Sequence, residues 1–221
     1  MLSIGELSQK AKYVLRREGL LPFLRRVWVF VRVLLVSRGD YYLYEKVLTS
    51  GNEVILEPKE PGYTVKLVSD RTVFDELAAD GCDFKMMVSK SILEKGALAF
   101  CVFSGQELAH LTWVALSNEA KREIDPLPFE VHFEAGEACS GLSFTDPTHR
   151  GRGLFGYAYT VIFRHLRERG IAIDRFSIEV GNIPSQRVMA KFDPVITGRG
   201  RYLRILWWER WKETPLKGAK R

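Results

Sequence analysis

Short apolar runs separated by glycine, proline and polar clusters dominate the chain from residue 41 onward, and their alternation predicts strands. They fall at Tyr41–Leu48, Tyr63–Val68, Ala97–Phe103, Leu108–Leu116, Phe129–Phe133, Glu137–Phe144 and Ile171–Val180. Ser50-Gly51-Asn52 reads as a turn, and Pro58 with Pro61-Gly62 brackets a loop. Ser104-Gly105-Gln106-Glu107 joins two of the runs into the clearest hairpin. A last strand pair, Val195–Thr197 with Arg201–Trp211, is expected around Gly198-Arg199-Gly200. Helical spacing predicts Thr72–Ala79, Ser89–Lys95, Leu154–Arg169 and Ser185–Lys191, with Gly170 where a C-terminal cap belongs.

Residues 5–17 and 20–38 have a different pattern, that of two basic amphipathic helices broken at Gly19 and Pro22. Leu20, Leu24, Val27, Trp28, Val31 and Leu35 share one helical face, and Arg25 and Arg32 share another. That pattern suits a helix lying in a membrane interface, and equally a helix packed on the protein's own core. The run VWVFVRV also has strand composition, so a strand stays open there. The expected organisation is a basic amphipathic segment at 1–40, a main domain at 41–212 and a basic tail at 213–221.

Charge sharpens this division. The chain of 221 residues carries a net charge of +6, and residues 1–38 hold eight Lys/Arg against two acids, so the rest is balanced. A segmental excess points to one stretch meeting an anionic surface; a nucleic-acid groove would spread the charge over the domain, and nucleic acid is not an expected partner. Cys82, Cys101 and Cys139 are odd in number and widely spaced, which fits neither a disulfide framework nor a metal cluster, and no metal is expected. The apolar run at Leu20–Val36 is interrupted by three arginines and lacks a small-residue cleavage site, which argues against both a cleavable signal and a membrane span.

The candidate chemistry lies between Phe144 and Gly156, in FTDPTHRGRGLFG. A strand stops at polar residues and a proline, passes through Arg150-Gly151-Arg152-Gly153, and opens into a helix whose first N–H groups have no partner inside it. Two arginines add full charge, which suits a pyrophosphate. Gly151, Gly153 and Gly156 also spell the dinucleotide fingerprint, with Asp174 at a suitable distance for a ribose contact. That reading requires the first glycine to follow the strand directly, whereas Thr145–Arg150 intervene, and the remaining chain lacks a second mononucleotide half.

Arg150-Gly151-Arg152-Gly153 resembles motif A of the GNAT superfamily of acyl-CoA-dependent N-acyltransferases, with Arg150 and Gly153 at its first and fourth positions. The sixth position holds Phe155 in place of Gly or Ala, and Gly156 comes one step late. Asn182-Ile183-Pro184-Ser185 is similar to the family's Asn-x-x-Ser segment. The resemblance spans about residues 63–211 and is concentrated in 137–192.

It implies an α+β fold, a mixed and mostly antiparallel sheet flanked by helices, here with the basic N-terminal segment outside it. It also implies acetyl-CoA or another acyl-CoA as cofactor and a small-molecule amine acceptor; together with the basic N-terminal helices it leaves a sugar or a membrane-associated molecule open as that acceptor. Gly151, Arg152, Gly153 and Leu154 would cradle the pyrophosphate with Arg150, Phe144 and Thr145 would offer backbone groups to the pantetheine, and Asn182 and Ser185 would flank it. A base must take the amine proton. By strand alternation Glu137 shares a face with Cys139, Gly141, Ser143 and Thr145, which makes it the first candidate, and His132 on the preceding run is the second. His110 reads as a hydrogen-bonded sheet residue. The family's usual tyrosine acid falls at Met189, which leaves a catalytically altered CoA-binding or docking module as the alternative. Trp207, Trp208 and Trp211 read as core and interface aromatics, with an acceptor pocket the other option. The cytoplasm is the expected location, with peripheral attachment to the inner membrane face through residues 1–38 left open, as is a homodimer.

Overall fold

A computed structural model describes residues 36–48, 54–85 and 87–216. The predicted helix at 5–17, most of that at 20–38, and the turn at 50–52 lie outside these residues. The described strands, in chain order, are β1 (Val36–Val47), β2 (Tyr63–Val68), β3 (Leu98–Ser104), β4 (Glu107–Ala115), β5 (Glu137–Thr145), β6 (Ile173–Glu179), β7 (Val195–Ile205) and β8 (Trp208–Pro215). They form one sheet in the order β2-β3-β4-β5-β6-β1-β7-β8. The helices are α1 (Arg71–Ala79), α2 (Lys90–Glu94), α3 (Asn118–Ile124), α4 (Leu154–Glu168) and α5 (Ile183–Met189). The fold is thus α+β with a mostly antiparallel sheet, as the sequence implied.

β3 and β4 are apolar almost throughout and buried along their length, the pattern of central strands covered on both faces. α4 lays Tyr159, Ile162, Phe163 and Leu166 on the sheet, in one core with Phe100, Val114, Ala138, Phe176 and Phe192. Local chemistry sets the helix starts: Asp70 accepts from Val73 N at 3.0 Å, Ser117 from Ala120 N at 3.2 Å, and Asn182 from Ser185 N at 3.3 Å.

The described residues separate into two compact units, one of residues 40–200 with 213–216, the other of residues 36–39 with 201–212. Everything in the next subsection lies in the first. The second contains the turn at Leu206-Trp207, where β7 becomes β8.

Three sequence expectations change. Phe129–Phe133 is not a strand: β4 already has β3 on one edge and β5 on the other, so no edge is open to it. Its alternation comes instead from a loop that buries Phe129 and Val131, with the Lys121 ammonium 4.0 Å from the Phe129 ring. The last hairpin turns at Leu206-Trp207, because Gly198 sits within β7, where an added Cβ would meet Thr214 O at 3.3 Å. It permits close strand approach and makes no turn. Finally, Val36–Arg38, expected as the end of the helix at 20–38, are the first residues of β1.

Candidate active site

β5 and β6 run parallel but pair only over Glu137–Cys139 with Ile173–Arg175. Beyond Cys139, β5 continues beside β4 and β6 beside β1, so the sheet parts toward the C-terminal ends of the two strands. Such an opening is where sheets of this kind take ligands. A cleft of about 840 Å3 lies there, lined by Ser143–Thr145 at the end of β5, the turn after it, the first residues of α4, and Asn182, Ser185 and Val188 of the α5 region. Leu56, Glu57 and Lys59 close its other side.

The turn is held from below. Asp146 caps the single 3-10 turn Pro147–His149 by accepting from Thr148 N at 2.9 Å. Lys85 binds Asp146 at 2.8 Å and also pairs with Glu107, which keeps the Asp146 carboxyl well below its usual range. The Tyr63 hydroxyl of β2 accepts from Arg152 Nη1 at 2.8 Å and meets His149 Nδ1 at 3.0 Å. Arginine only donates, so the tyrosine oxygen accepts that bond, and His149 Nε2 stands 3.8 Å from Glu107. Gly151 and Gly153 have φ of +78° and +84°, a region that strongly favours glycine. Gly153 is the N-cap of α4 and brings no capping side chain, so the first turn of α4 presents its N–H groups to the cleft.

Phe144, Thr145, Arg150, Gly151, Gly153, Leu154, Asn182 and Ser185 all line this one cleft. Arg152 does not: it turns back to Tyr63 and to Glu60, at 2.9 Å. Asn182 uses Oδ1 to cap α5, which leaves its amide nitrogen as the donor it can offer.

Glu137 and His132 lie outside the cleft. Glu137 is buried, receives Arg175 at 2.6 and 2.9 Å, and accepts from the His132 backbone N–H at 2.7 Å. A bulge breaks the face that Glu137 was expected to share with Ser143 and Thr145. Leu142 has φ +43°, and the β4–β5 register shifts between Leu111 and Trp113. One extra residue reverses the alternation, so Glu137 and Cys139 face away from the side that Ser143 and Thr145 share.

On that side hydroxyls and an imidazole line up across the sheet, buried at His110, Thr112, Ser140 and Tyr159 and open to the cleft at Ser143 and Thr145. Thr145 Oγ1 meets His110 Nδ1 at 2.7 Å, and His110 Nε2 meets Thr112 Oγ1 at 2.9 Å. Thr112 then meets Ser143 Oγ at 2.9 Å, and Ser143 faces the Tyr159 hydroxyl. Tyr159 meets Ser140 Oγ at 3.1 Å, and Ser140 donates to Asp174 Oδ2 at 2.6 Å. Burial pushes Asp174 up to about 8 and His110 down to about 3, so both are neutral at pH 7. Asp174 Oδ1 has no partner. Asp174 is therefore a core group, which removes the ribose contact of the dinucleotide reading.

Phe155, at the departing position of the turn motif, packs edge-on to His110 and Tyr159. A Cβ on Gly156 would stand 2.8 Å from Leu56 Cδ1 and 3.2 Å from Val188 Cγ1, so this glycine serves helix packing. Met189 is fully buried in the core.

No family model and no curated protein matches the chain. Solved structures do, and several are GNAT-family acetyltransferases. They include one from Colwellia psychrerythraea, with 12% identity and a TM-score of 0.47 over 77% of this chain and 56% of that one. A GCN5-related N-acetyltransferase from Sphaerobacter thermophilus matches at 12% identity and a TM-score of 0.47 over 88% of this chain and 57% of its own. One from Kribbella flavida matches at 12% and 0.47 over 81% and 63%. The chain thus spans under two thirds of the length of each.

Sequence reasoning missed Leu56, Glu57, Lys59 and the cleft position of His110. The first three stand about ninety residues before the turn, in a segment without periodicity, and nothing local marks them. His110 had a signal: a histidine flanked at i+2 by a threonine on the same strand face. Among the described residues no helix is long and apolar enough to cross a membrane.

Proposed function

We propose that the chain is an acyl-CoA-dependent N-acyltransferase that moves an acetyl or other acyl group to a small-molecule amine. The observation that carries this reading is the uncapped start of α4 behind Gly151 and Gly153, facing a cleft between parting strands with Arg150 on its rim. The residues fit a CoA: a Cβ at Gly151 would meet nothing within 4 Å, so the turn leaves its backbone open to a pyrophosphate.

A bound acyl-CoA thioester supplies an activated acyl carbon. The chain's residues then position and manage protons. The N–H groups of residues 151–154 and Arg150 bind the diphosphate, Phe144 and Thr145 offer backbone groups to the arm, and Asn182 and Ser185 flank it. The attacking amine must lose a proton and the departing thiolate must gain one. Thr145 ends a chain of groups that each donate and accept, so a proton taken at one point of the cleft can be returned at another. His110, neutral and buried, orients Thr145 and is not itself a cation. Neither Glu137 nor His132 is proposed as base, since both lie away from the cleft.

Titration of acetyl-CoA by calorimetry tests the reading. The wild type should bind, and Gly153→Glu, which adds bulk and negative charge at a left-handed position beside Glu57 O at 3.4 Å, should not. Absence of wild-type binding by a folded protein would sink the proposal. A second reading, a CoA-binding module without transfer, is favoured by Met189 standing where an acid would serve. Turnover of acetyl-CoA with an amine panel separates the two.

A further inference from the structure

The hairpin between β7 and β8 breaks the rules for a hairpin on a surface. Its two-residue turn is Leu206-Trp207, with Leu206 at φ +57°. Two-residue turns favour Asn-Gly, Asp-Gly or Gly-X, because left-handed φ is costly for bulky side chains. Here the strained position carries a leucine and the next a tryptophan. Neither is buried: Trp207 is 88% exposed, Trp208 49%, Leu206 44% and Ile205 42%. Four consecutive large apolar residues therefore form the tip, each of them more than two fifths exposed. Backbone strain kept at so exposed an apolar turn points to a functional segment.

The flanks are basic. Residues 201–212 contain Arg201, Arg204, Arg210 and Lys212 against one acid, Glu209, which accepts from the Tyr202 hydroxyl at 3.0 Å. Paired tryptophans at an exposed tip with arginines behind them match the chemistry of a bilayer interface, where indole rings settle at headgroup depth and cations meet anionic lipid. A protein partner would be expected to use a wider and flatter apolar face than one turn provides.

We propose that the Ile205–Trp208 tip inserts into the headgroup layer of an anionic phospholipid bilayer, held by the basic residues behind it. The proposal concerns residues other than those that line the cleft and other than 1–38, and it does not depend on the acyl-transfer reading.

The test is co-sedimentation of the full chain with vesicles of phosphatidylcholine and of phosphatidylcholine mixed with phosphatidylglycerol. A paired substitution, Leu206→Asn with Trp207→Gly, gives the turn the residues it favours and removes the apolar tip while leaving residues 1–38 intact. The wild type should bind the phosphatidylglycerol vesicles, and brominated acyl chains should quench its tryptophan fluorescence. The paired variant should keep or raise its melting temperature and bind at least roughly tenfold more weakly. Undiminished vesicle binding by the variant would overturn the proposal and assign the membrane to another surface. Failure of the wild type to bind would overturn it too. So would a dimer in sedimentation equilibrium, without vesicle binding, that the variant dissociates, since a second copy would then cover the tip.

Discussion

Ser140 and Ser143 stand three residues apart on β5, yet both face the hydroxyl of Tyr159, which Ser140 meets at 3.1 Å. In a regular strand residues three apart point to opposite faces. The extra residue is Leu142, half exposed and left-handed, and it is what brings Ser143 and Thr145 to the cleft side of the sheet. Ser140 ties Tyr159 to a core carboxylic acid, Asp174, while Ser143 belongs to the cleft wall with Thr112 and His110.

The bulge makes a prediction about residue 142. A left-handed conformation costs an L-residue about 1–2 kcal/mol, and a β-branched side chain more. Leu142→Gly removes that cost and loses little burial, offset by about 0.5–1 kcal/mol of backbone entropy, so stability should hold or rise slightly. Leu142→Val should lose about 1 kcal/mol or more. Urea unfolding of the two variants checks the contrast; equal effects would argue against a left-handed residue there.

Glu137 should behave as a structural residue. Glu137→Gln removes one charge from a buried bidentate pair and leaves Arg175 with Glu45, so a loss of about 1–3 kcal/mol is expected. Acetyl-CoA affinity and turnover per folded molecule should stay within about twofold of wild type, since distant sites act independently. Turnover collapsing at unchanged stability would restore Glu137 as the base.

Much of this was legible in the sequence wherever the signal was local. Strand and helix periods, the Asn182 cap, and a turn with glycines at 151 and 153 each depend on neighbours within a few residues. The face of Glu137 was not legible, because one left-handed leucine reverses every side chain after it and an exposed leucine in a strand leaves no mark. The position of the last turn was misread for the opposite reason. Gly198 and Gly200 look like turn residues, while Leu206-Trp207 violates turn chemistry. The closing wall at residues 56–59 depends on tertiary contact across about a hundred residues.

Gly156 should prove a packing glycine. Its added Cβ meets the flexible end of Leu56 and a methyl of Val188. Gly156→Ala should be mild, because Leu56 can give way. Gly156→Val should cost about 1–3 kcal/mol and weaken acetyl-CoA binding by pushing the Leu56 wall outward. Thermal melts paired with calorimetric titration separate the two effects.

The buried chain should also leave a signature in stability against pH. Asp174 rises from its ordinary 3.8 to about 8, so between those values the unfolded chain has lost a proton that the native state keeps, and stability falls as pH rises. His110 drops from 6.5 to about 3, so in that interval the unfolded chain holds a proton the native state lacks, and stability rises with pH. The two slopes, each of about 1.4 kcal/mol per pH unit, cancel between about 4 and 6.5, and only the Asp174 slope remains from there to about 8. Urea unfolding of wild type and single variants across this range isolates each group, since all other titrations are shared. Asp174→Asn should flatten the difference above 6.5, and His110→Gln should extend the falling slope down to about 4. Parallel curves for wild type and Asp174→Asn would mean that Asp174 is ionised in the native state, and the chain would then hold no exchangeable proton at its inner end.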